Sequence, residues 1–328
     1  MGIAGGMTHE IIAVDIGGTN ARFCRARISR GCAPQLGEIR KYKVAEHPTL
    51  ADAWRHFAQD EGDGLPDEAV VALAAPVAET PIKLTNSPWI VDPQELKREL
   101  ALDQLLLVND FEAMAYGIMA LPREHLVHIF GPDHGLPVSG AVSIIGPGTG
   151  LGVGLVSCAQ GDVRVLPTEG GHMSFAPVDE EDDLLLSQLR KRFGRVSVER
   201  VVSGRGLGYI HCALAQLAGS DVETPEDAQL WQAALNGGEG LAQEALARLC
   251  MSYGAVTGDL ALAHGAGAVV LAGGLTGRMK DAPLFAHFQE RFLAKGRHRH
   301  IMENMPVYHA DHPEPGLFGA AAAGAARL

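Results

Sequence analysis

Two glycine-rich bends, one in each half of the chain, restrict the available folds more than any other feature. The first lies in AVDIGGTNARF (Ala13 to Phe23), the second in GAVSIIGPGTGLGVGLVS (Gly140 to Ser157). Each joins one apolar run to another through a turn holding glycine and threonine, the pattern of a β-hairpin. The bends share little identity but one plan, so the expectation is two domains, each presenting a Gly-rich hairpin. Length agrees, because 328 residues exceed what one ordinary core supports. In the first bend, Gly17 and Gly18 permit backbone geometries that a side chain would forbid. Asp15 stands at its mouth, a carboxylate in need of a partner. A tight turn with a capping aspartate is the plain alternative for this stretch.

Around the bends, strands and helices alternate, which predicts an α/β fold. Short apolar runs from Ile11 to Val44 predict a meander of strands. PTLADAWRHFAQD predicts a helix entered at Thr49 or Pro48, with Leu50, Trp54, Phe57 and Ala58 on one face. Ala69 to Val77 predicts a buried strand, and DPQELKREL a helix with Pro93 in its first turn. QLLLVNDFEAMAYGIMAL predicts a strand that ends at Asn109–Asp110 and becomes a helix. DEEDDLLLSQLRKRFG predicts a helix with acids first and bases last, which suits the helix dipole; Leu185, Leu189 and Phe193 are its buried face. Long helices are expected from Gly240 to Ala263. GAVVLAGGL predicts a strand running into a Gly-Gly turn, PVYHAD a last strand, and EPGLFGAAAAGAARL a closing helix.

Composition bears on partners and compartment. The formal net charge of −12 argues against a nucleic-acid partner, which needs clustered Lys and Arg. The one basic stretch, KGRHRH (Lys295 to His300), reads as a solvated helix end. Five scattered cysteines without a Cys-x-x-Cys pair fit a reduced, cytoplasmic setting, and no zinc spacing occurs. MGIAGGM lacks the charge and apolar core of a signal peptide and reads as a floppy leader. LFGAAAAGAA falls short of the ~20 residues of a membrane helix, so no membrane partner is expected.

Five stretches carry candidate chemistry. GPGTGLGVG places glycines at 146, 148, 150, 152 and 154, without a following Gly-Lys-Ser/Thr or the helix of a dinucleotide fingerprint. Its N–H groups and the Thr149 hydroxyl could wrap a phosphate chain, or form only a turn. LLLVNDFEA sets Asn109 and Asp110 at the carboxyl end of a strand, where open α/β sheets bind ligands. Asp110 is a candidate general base, or alternatively the N-cap of the next helix. In PTEGGHMSFAP, Glu169 and His172 flank two glycines, so both can approach one point; a turn with a surface Glu and a core His is a second reading, and a metal site a third, for which Cys158 is distant and no second His has ligand spacing. In GRVSVERVVSGRGLG, Ser197 could cap a short helix with Glu199 in its first turn. In VVLAGGLTGR, Gly273 and Gly274 either leave space for a flat ligand such as a purine or are packing glycines. His298, His300, His309 and His312 read as surface or loop residues.

Taken in order, DIGGTN, LTNSPW, VNDFEAMAYG, GPGTGLGVG, PTEGGHMSFAP, VSVERVVSGRG, LAGG and HPEPGLFGAA resemble the bacterial ATP-dependent glucokinase family. That family belongs to the hexokinase–actin–heat-shock-ATPase superfamily, and the resemblance runs from about residue 11 to the C-terminus. It implies a two-domain actin-like ATPase (ribonuclease H-like) fold with a ligand cleft between a small and a large domain. Residues 9–120 with 312–328 would form the small α/β domain, and 121–311 the large one. It further implies the substrates glucose and ATP, with Mg2+, and a homodimer. DIGGTN resembles the first phosphate loop (Asp15, Gly17, Gly18, Thr19, Asn20), with Asp15 facing magnesium directly or through water. GPGTGLG resembles the second (Gly148, Thr149, Gly150), and LAGG the adenosine side (Gly273, Gly274). Sugar-binding roles carry over to Asn86, Asn109, Asp110, Glu169, His172 and Glu199, and the catalytic base to Asp110. One departure is Glu79–Thr80 after Ala78, where the family often has Gly-Asp. The related repressor/open-reading-frame/kinase family carries a Cys-rich zinc motif after its Glu-x-Gly-His, and none follows His172.

The implied reaction moves the γ-phosphoryl group of ATP to the 6-hydroxyl of glucose. A kinase for mannose or fructose is the nearest rival. A sugar-responsive regulator or actin-like assembly ATPase is a further one. About ten residues precede the first strand, too few for a helix-turn-helix.

Overall fold

The computed structural model describes residues 7–62, 64–77, 80–84, 87–220, 226–237 and 240–328. The chain opens with β1 (His9–Ile16), β2 (Asn20–Ile28), β3 (Gln35–Leu36) and β4 (Arg40–Lys43), then α1 (Leu50–Glu61) and β5 (Glu68–Leu73). A ribbon of β6 (Ile82–Lys83) and β7 (Ile90–Val91) precedes α2 (Pro93–Glu99), β8 (Gln104–Asn109) and α3 (Asp110–Ala120). Next come β9 (Leu126–Phe130), β10 (Gly140–Pro147), β11 (Leu151–Ala159), β12 (Asp162–Thr168), α4 (Glu180–Phe193), α5 (Gly206–Leu217) and α6 (Asp227–Leu235). The chain closes with α7 (Leu241–Ala263), β13 (Ala266–Leu271), α8 (Gly273–Met279), α9 (Ala286–Leu293), α10 (Arg299–Glu303), β14 (Val307–Ala310) and α11 (Pro315–Ala325). Two compact units result: Met1–His125 with Gly161–Val165 and His312–Leu328, and Leu126–Gln160 with Leu166–Asp311.

In the first unit, β1 and β2 form an antiparallel hairpin, and β5 and β8 continue the sheet in parallel. Side chains alternate across a strand, so β1 serves two layers. Ile12, Val14 and Ile16 join Phe23, Trp54, Phe57 and Trp89 in one apolar cluster. On the other face Ile11 meets α11, where a Cβ added at Gly324 would lie 3.2 Å from Ile11 Cδ1. Helices α3 and α11 cross backbone to backbone: a Cβ on Gly319 would lie 2.4 Å from the Ala113 carbonyl oxygen. The last helix of the chain is thereby seated against its first strand. Helix α1 starts where expected, with Thr49 Oγ1 accepting from Asp52 N–H at 3.1 Å. Strand β5 is shorter than the expected 69–77 and ends at Leu73.

The second unit repeats the plan. Its sheet contains β11, β10, β13, β14 and β9 in that order, with β10–β11 a hairpin and β10, β13 and β14 parallel. Leu249, Tyr253, Phe288 and Phe292 centre its core, with Leu185, Leu186 and Leu189 of α4 also buried and Phe193 partly so. Helix α7 fills the long apolar stretch as one element of 23 residues.

Three expectations fail here. Gly273 and Gly274 do not form a turn; they open α8. His309 is not a surface residue but lies on β14 at 4% exposure, because the parallel strands bury both faces. Lys295 is not solvated: its Nζ donates to the Ala255 carbonyl at 2.8 Å and to Asp259 Oδ1 at 2.6 Å.

Candidate active site

The first unit brings two carboxylates to one sheet edge. β1, β5 and β8 run parallel, so Asp15 near the end of β1 and Asp110 just after β8 both stand at the carboxyl end. Hairpin register sets Arg22 opposite Asp15, and Arg22 Nη1 donates to Asp15 Oδ2 at 3.0 Å. Arg22 Nε also faces Glu314 Oε2 at 3.4 Å. Gly316, in the first turn of α11, is required by close approach: a Cβ there would fall 2.4 Å from Asp15 Cγ and 2.6 Å from Oδ1. Burial pushes the Asp15 carboxyl up, Arg22 draws it partly back, and Glu314 adds a further upward push.

Asp110 is not the helix cap. That role falls to Asn109, whose Oδ1 accepts from Phe111 N–H at 3.0 Å and Glu112 N–H at 3.3 Å. Asn109 Nδ2 also donates to the Ala75 carbonyl at 3.3 Å, tying the end of β8 to the segment after β5. Asp110 occupies the first helical position and accepts from Phe111 N–H at 2.8 Å. Its carboxylate is reachable by solvent, yet crowded by protein on its other sides. Desolvation pushes its pKa up, the Phe111 bond opposes this, and the charge on Asp15 raises it further. Among the described residues no cation pairs with Asp110, in contrast to Asp15.

In the first bend, Gly17 N–H donates to the Asn20 carbonyl at 2.9 Å, and Val44 N–H to the Thr19 carbonyl at 2.9 Å. Gly17 is not in the left-handed region, and a Cβ there would meet only the Asn20 carbonyl at an ordinary 3.5 Å. The expected conformational need for glycine is therefore absent at this position. Gly18 and Thr19 are exposed and Asn20 is half-buried.

The second unit assembles the remaining candidates around the second bend. Gly148 N–H donates to the Gly150 carbonyl at 2.8 Å, leaving Gly148 and Thr149 exposed at the tip. A Cβ on Gly148 would meet nothing within 4 Å, so nothing inside the protein demands glycine there. Gly273 opens α8 just after the neighbouring parallel strand β13, at φ +83°, with its would-be Cβ 2.9 Å from the Pro147 carbonyl oxygen. It is thus a packing glycine, whereas Gly274 has open space around it.

Glu169 and His172 are both well exposed, with His172 Nε2 3.8 Å from Glu169 Oε2. The glycines between them lie on β11: a Cβ on Gly171 would fall 2.2 Å from the Leu151 carbonyl oxygen. The following chain bonds to the segment carrying Glu199, through Val198 N–H to the Met173 carbonyl at 2.8 Å. Ser197 stands at the cap position of that short turn, but its side chain makes no capping bond, contrary to expectation. Glu199 Oε2 instead accepts from Leu151 N–H at 3.0 Å.

Asn86, and Glu79 of the Glu79–Thr80 departure, lie outside the described residues. Arg22, Glu314 and Gly316 were not singled out from the sequence. Arg22 could have been, because a hairpin closed at 17–20 necessarily pairs residues 15 and 22. Glu314 and Gly316 could not, being separated from Asp15 by the length of the chain. Among the described residues no group of three or more His, Cys, Asp or Glu converges on a metal position. Among the described residues no helix is long and apolar enough to cross a membrane.

Two units, each built on a hairpin with a glycine bend and continued by parallel strands, with Asp15 and Asp110 at the sheet edge of the first and Glu169 and Glu199 beside the bend of the second, define the class of actin-like sugar kinases. Solved structures agree. A glucokinase from an Antarctic psychrotroph superposes with a TM-score of 0.85 at 33% identity, covering 96% of this chain and 98% of that one. A glucokinase from Balamuthia mandrillaris, solved with glucose, gives 0.76 at 20% identity over 99% and 95%, a likeness of fold. A glucokinase of Zymomonas mobilis is 46% identical over 314 residues, covering 96% of this chain and 97% of the relative. The glucokinase family model matches residues 12–327, and the chain belongs to that family.

Proposed function

We propose that this chain transfers the γ-phosphoryl group of ATP to the 6-hydroxyl of glucose, with Asp110 as general base. The observation that carries the assignment is the division of labour at 109–110. Asn109 caps the helix, so the Asp110 carboxylate gives structure only one bond, from Phe111 N–H, and stays open to solvent with no paired cation among the described residues. A sugar hydroxyl is too weak an acid to ionise first, so Asp110 takes its proton as the oxygen–phosphorus bond forms. Such a base contributes ~10²–10⁴ in rate; alignment and charge stabilisation contribute most of the remainder.

The nucleotide reading is supported by glycines that the fold itself does not require. Gly148 and Gly274 would each tolerate a methyl sterically, so their lack of one leaves backbone open to phosphates and adenosine. Thr149 offers a hydroxyl at the same tip, and Gly150 and Gly273 complete the bend by packing. Gly17, Gly18, Thr19 and Asn20 supply the first loop. Magnesium fits Asp15: Arg22 occupies Oδ2, Oδ1 remains an oxygen donor, and this ion commonly takes one or two carboxylates plus phosphates. When bound, it neutralises phosphate charge and fixes phosphate geometry. Asn109, Glu169, His172 and Glu199, with Asn86, read the sugar hydroxyls; sites that bond a hydroxyl can reject an analogue lacking it by ~10⁴ or more.

The division into a small domain (9–120 with 312–328) and a large one (121–311) belongs to the same reading, supported by two compact units that part near those positions. A homodimer rests on the family alone. A cytoplasmic setting is supported by five free cysteines.

The deciding experiment is Asp110→Asn in an assay of ADP release, with glucose binding followed by calorimetry. Turnover is expected to fall by about 10²–10⁴, with glucose affinity retained within a few-fold. Turnover near that of the wild type, after removal of contaminating host kinase, overturns the assignment.

A further inference from the structure

We propose that Glu199 is a positioning residue that couples the sugar pocket to the nucleotide hairpin. The inference rests on the reading of Glu199 as a sugar ligand and adds a second role for the same carboxylate. Its Oε2 accepts from Leu151 N–H, the first residue of β11 after the Gly148–Gly150 tip. The fit is close: a Cβ on Gly150 would lie 2.1 Å from Oε2 and 2.9 Å from Cδ, so an added methyl displaces the flexible end of this side chain. Gly150 has no positive φ to explain its identity, so the reason it is glycine is the Glu199 carboxylate.

The chain around Glu199 clips the hairpin a second time. Gly204 N–H donates to the Gly148 carbonyl at 2.8 Å, beyond the tip from Leu151. On its other side the same segment is bonded to the chain after the Glu169–His172 turn, through Val198 N–H to Met173 O and Phe175 N–H to Val196 O at 3.0 Å. That turn itself rests on β11 through Gly170 and Gly171, whose would-be Cβ atoms fall 2.9 Å from Val153 and 2.2 Å from Leu151 O. Three pieces of chain therefore share one set of contacts. One oxygen of Glu199 holds the hairpin, and the other is left to accept a sugar hydroxyl. A hairpin shaped for nucleotide presents that carboxylate ready for sugar, and the reverse holds by linkage.

Two alanine substitutions in the same bend separate this from a merely local role. In Gly150→Ala the methyl takes the place of Glu199 Oε2, whereas in Gly148→Ala it enters open space. Glucose affinity is measured by calorimetry on the full chain with no nucleotide present. Gly150→Ala is expected to weaken it at least tenfold, and Gly148→Ala less than twofold. Wild-type affinity in Gly150→Ala, or equal losses in the two variants, overturns the proposal.

To show that the methyl acts through the carboxylate, a cycle with Glu199→Ala is added. With the carboxylate gone, Gly150→Ala is expected to cost no further glucose affinity; additive losses overturn the coupling. A wild-type protein that binds no glucose would remove the underlying sugar-site reading. Intact wild-type binding with an indifferent Gly150→Ala would remove this proposal alone.

Discussion

Asp110 carries opposed demands. Desolvation and the neighbouring Asp15 raise its pKa, so at neutral pH the fold holds an ionised carboxylate where a neutral group would sit more comfortably. Because the folded value lies above the unfolded one, this group favours folding in acid, and that contribution is lost as pH rises through the folded value. The base is active only when ionised. The acid limb of kcat/KM is therefore expected above the ordinary carboxylate range, and a pH–rate profile tests it; a limb at or below about 4 contradicts it. The same sign predicts that Asp110→Asn does not lower Tm at pH 7. Asp15 differs by one neighbour: Arg22, set across the hairpin, gives it a compensating charge.

At the scale of elements, helix ends do the positioning. The α3 cap frees Asp110, and the first turn of α11 closes on Asp15 through Gly316. The start of α4 shows the structural counterpart. Asp179 accepts from Asp182 N–H at 2.8 Å and pairs with Arg248 of α7, at 2.8 Å, and Arg291 of α9. Burial raises its carboxyl, but these bonds more than reverse the effect, and its pKa ends below the ordinary value. Arg248 is buried, at 8% exposure, and also pairs with Glu181 and Asp182, so Asp179→Ala removes a cap and one of three carboxylates around a buried guanidinium. A loss of about 1–2 kcal/mol is expected in urea unfolding at neutral pH. A depressed folded pKa contributes fully above the unfolded value and fades as pH falls through the folded one. The gap between variant and wild type should therefore shrink in acid below about 4; a gap independent of pH would contradict the assignment.

At the scale of the whole molecule, the prediction concerns dependence on sugar. Release of ADP should be slow without a hexose and fastest with glucose across a panel including mannose and fructose. Sugar-independent hydrolysis at the full rate would favour an assembly ATPase instead. Much of this scale was legible in the chain. Local signals carried the two hairpins, the strand–helix passage at 109–110, the Thr49 cap and the apolar face of α4, because each depends on neighbours within a few residues. The paired bends implied two units on one plan. What the chain alone could not resolve was whether Asp110 or Asn109 caps α3, since both can, and only the bonds to Phe111 and Glu112 decide it. Nor could it show why Gly150 and Gly316 are glycines, because the atoms they make way for belong to Glu199 and Asp15, 49 and 301 residues away along the chain. Sequence determines what each segment prefers through short-range sterics and periodicity. Only tertiary packing decides which distant carboxylate fills the space beside a given backbone, since that space exists only after the sheets and helices have met.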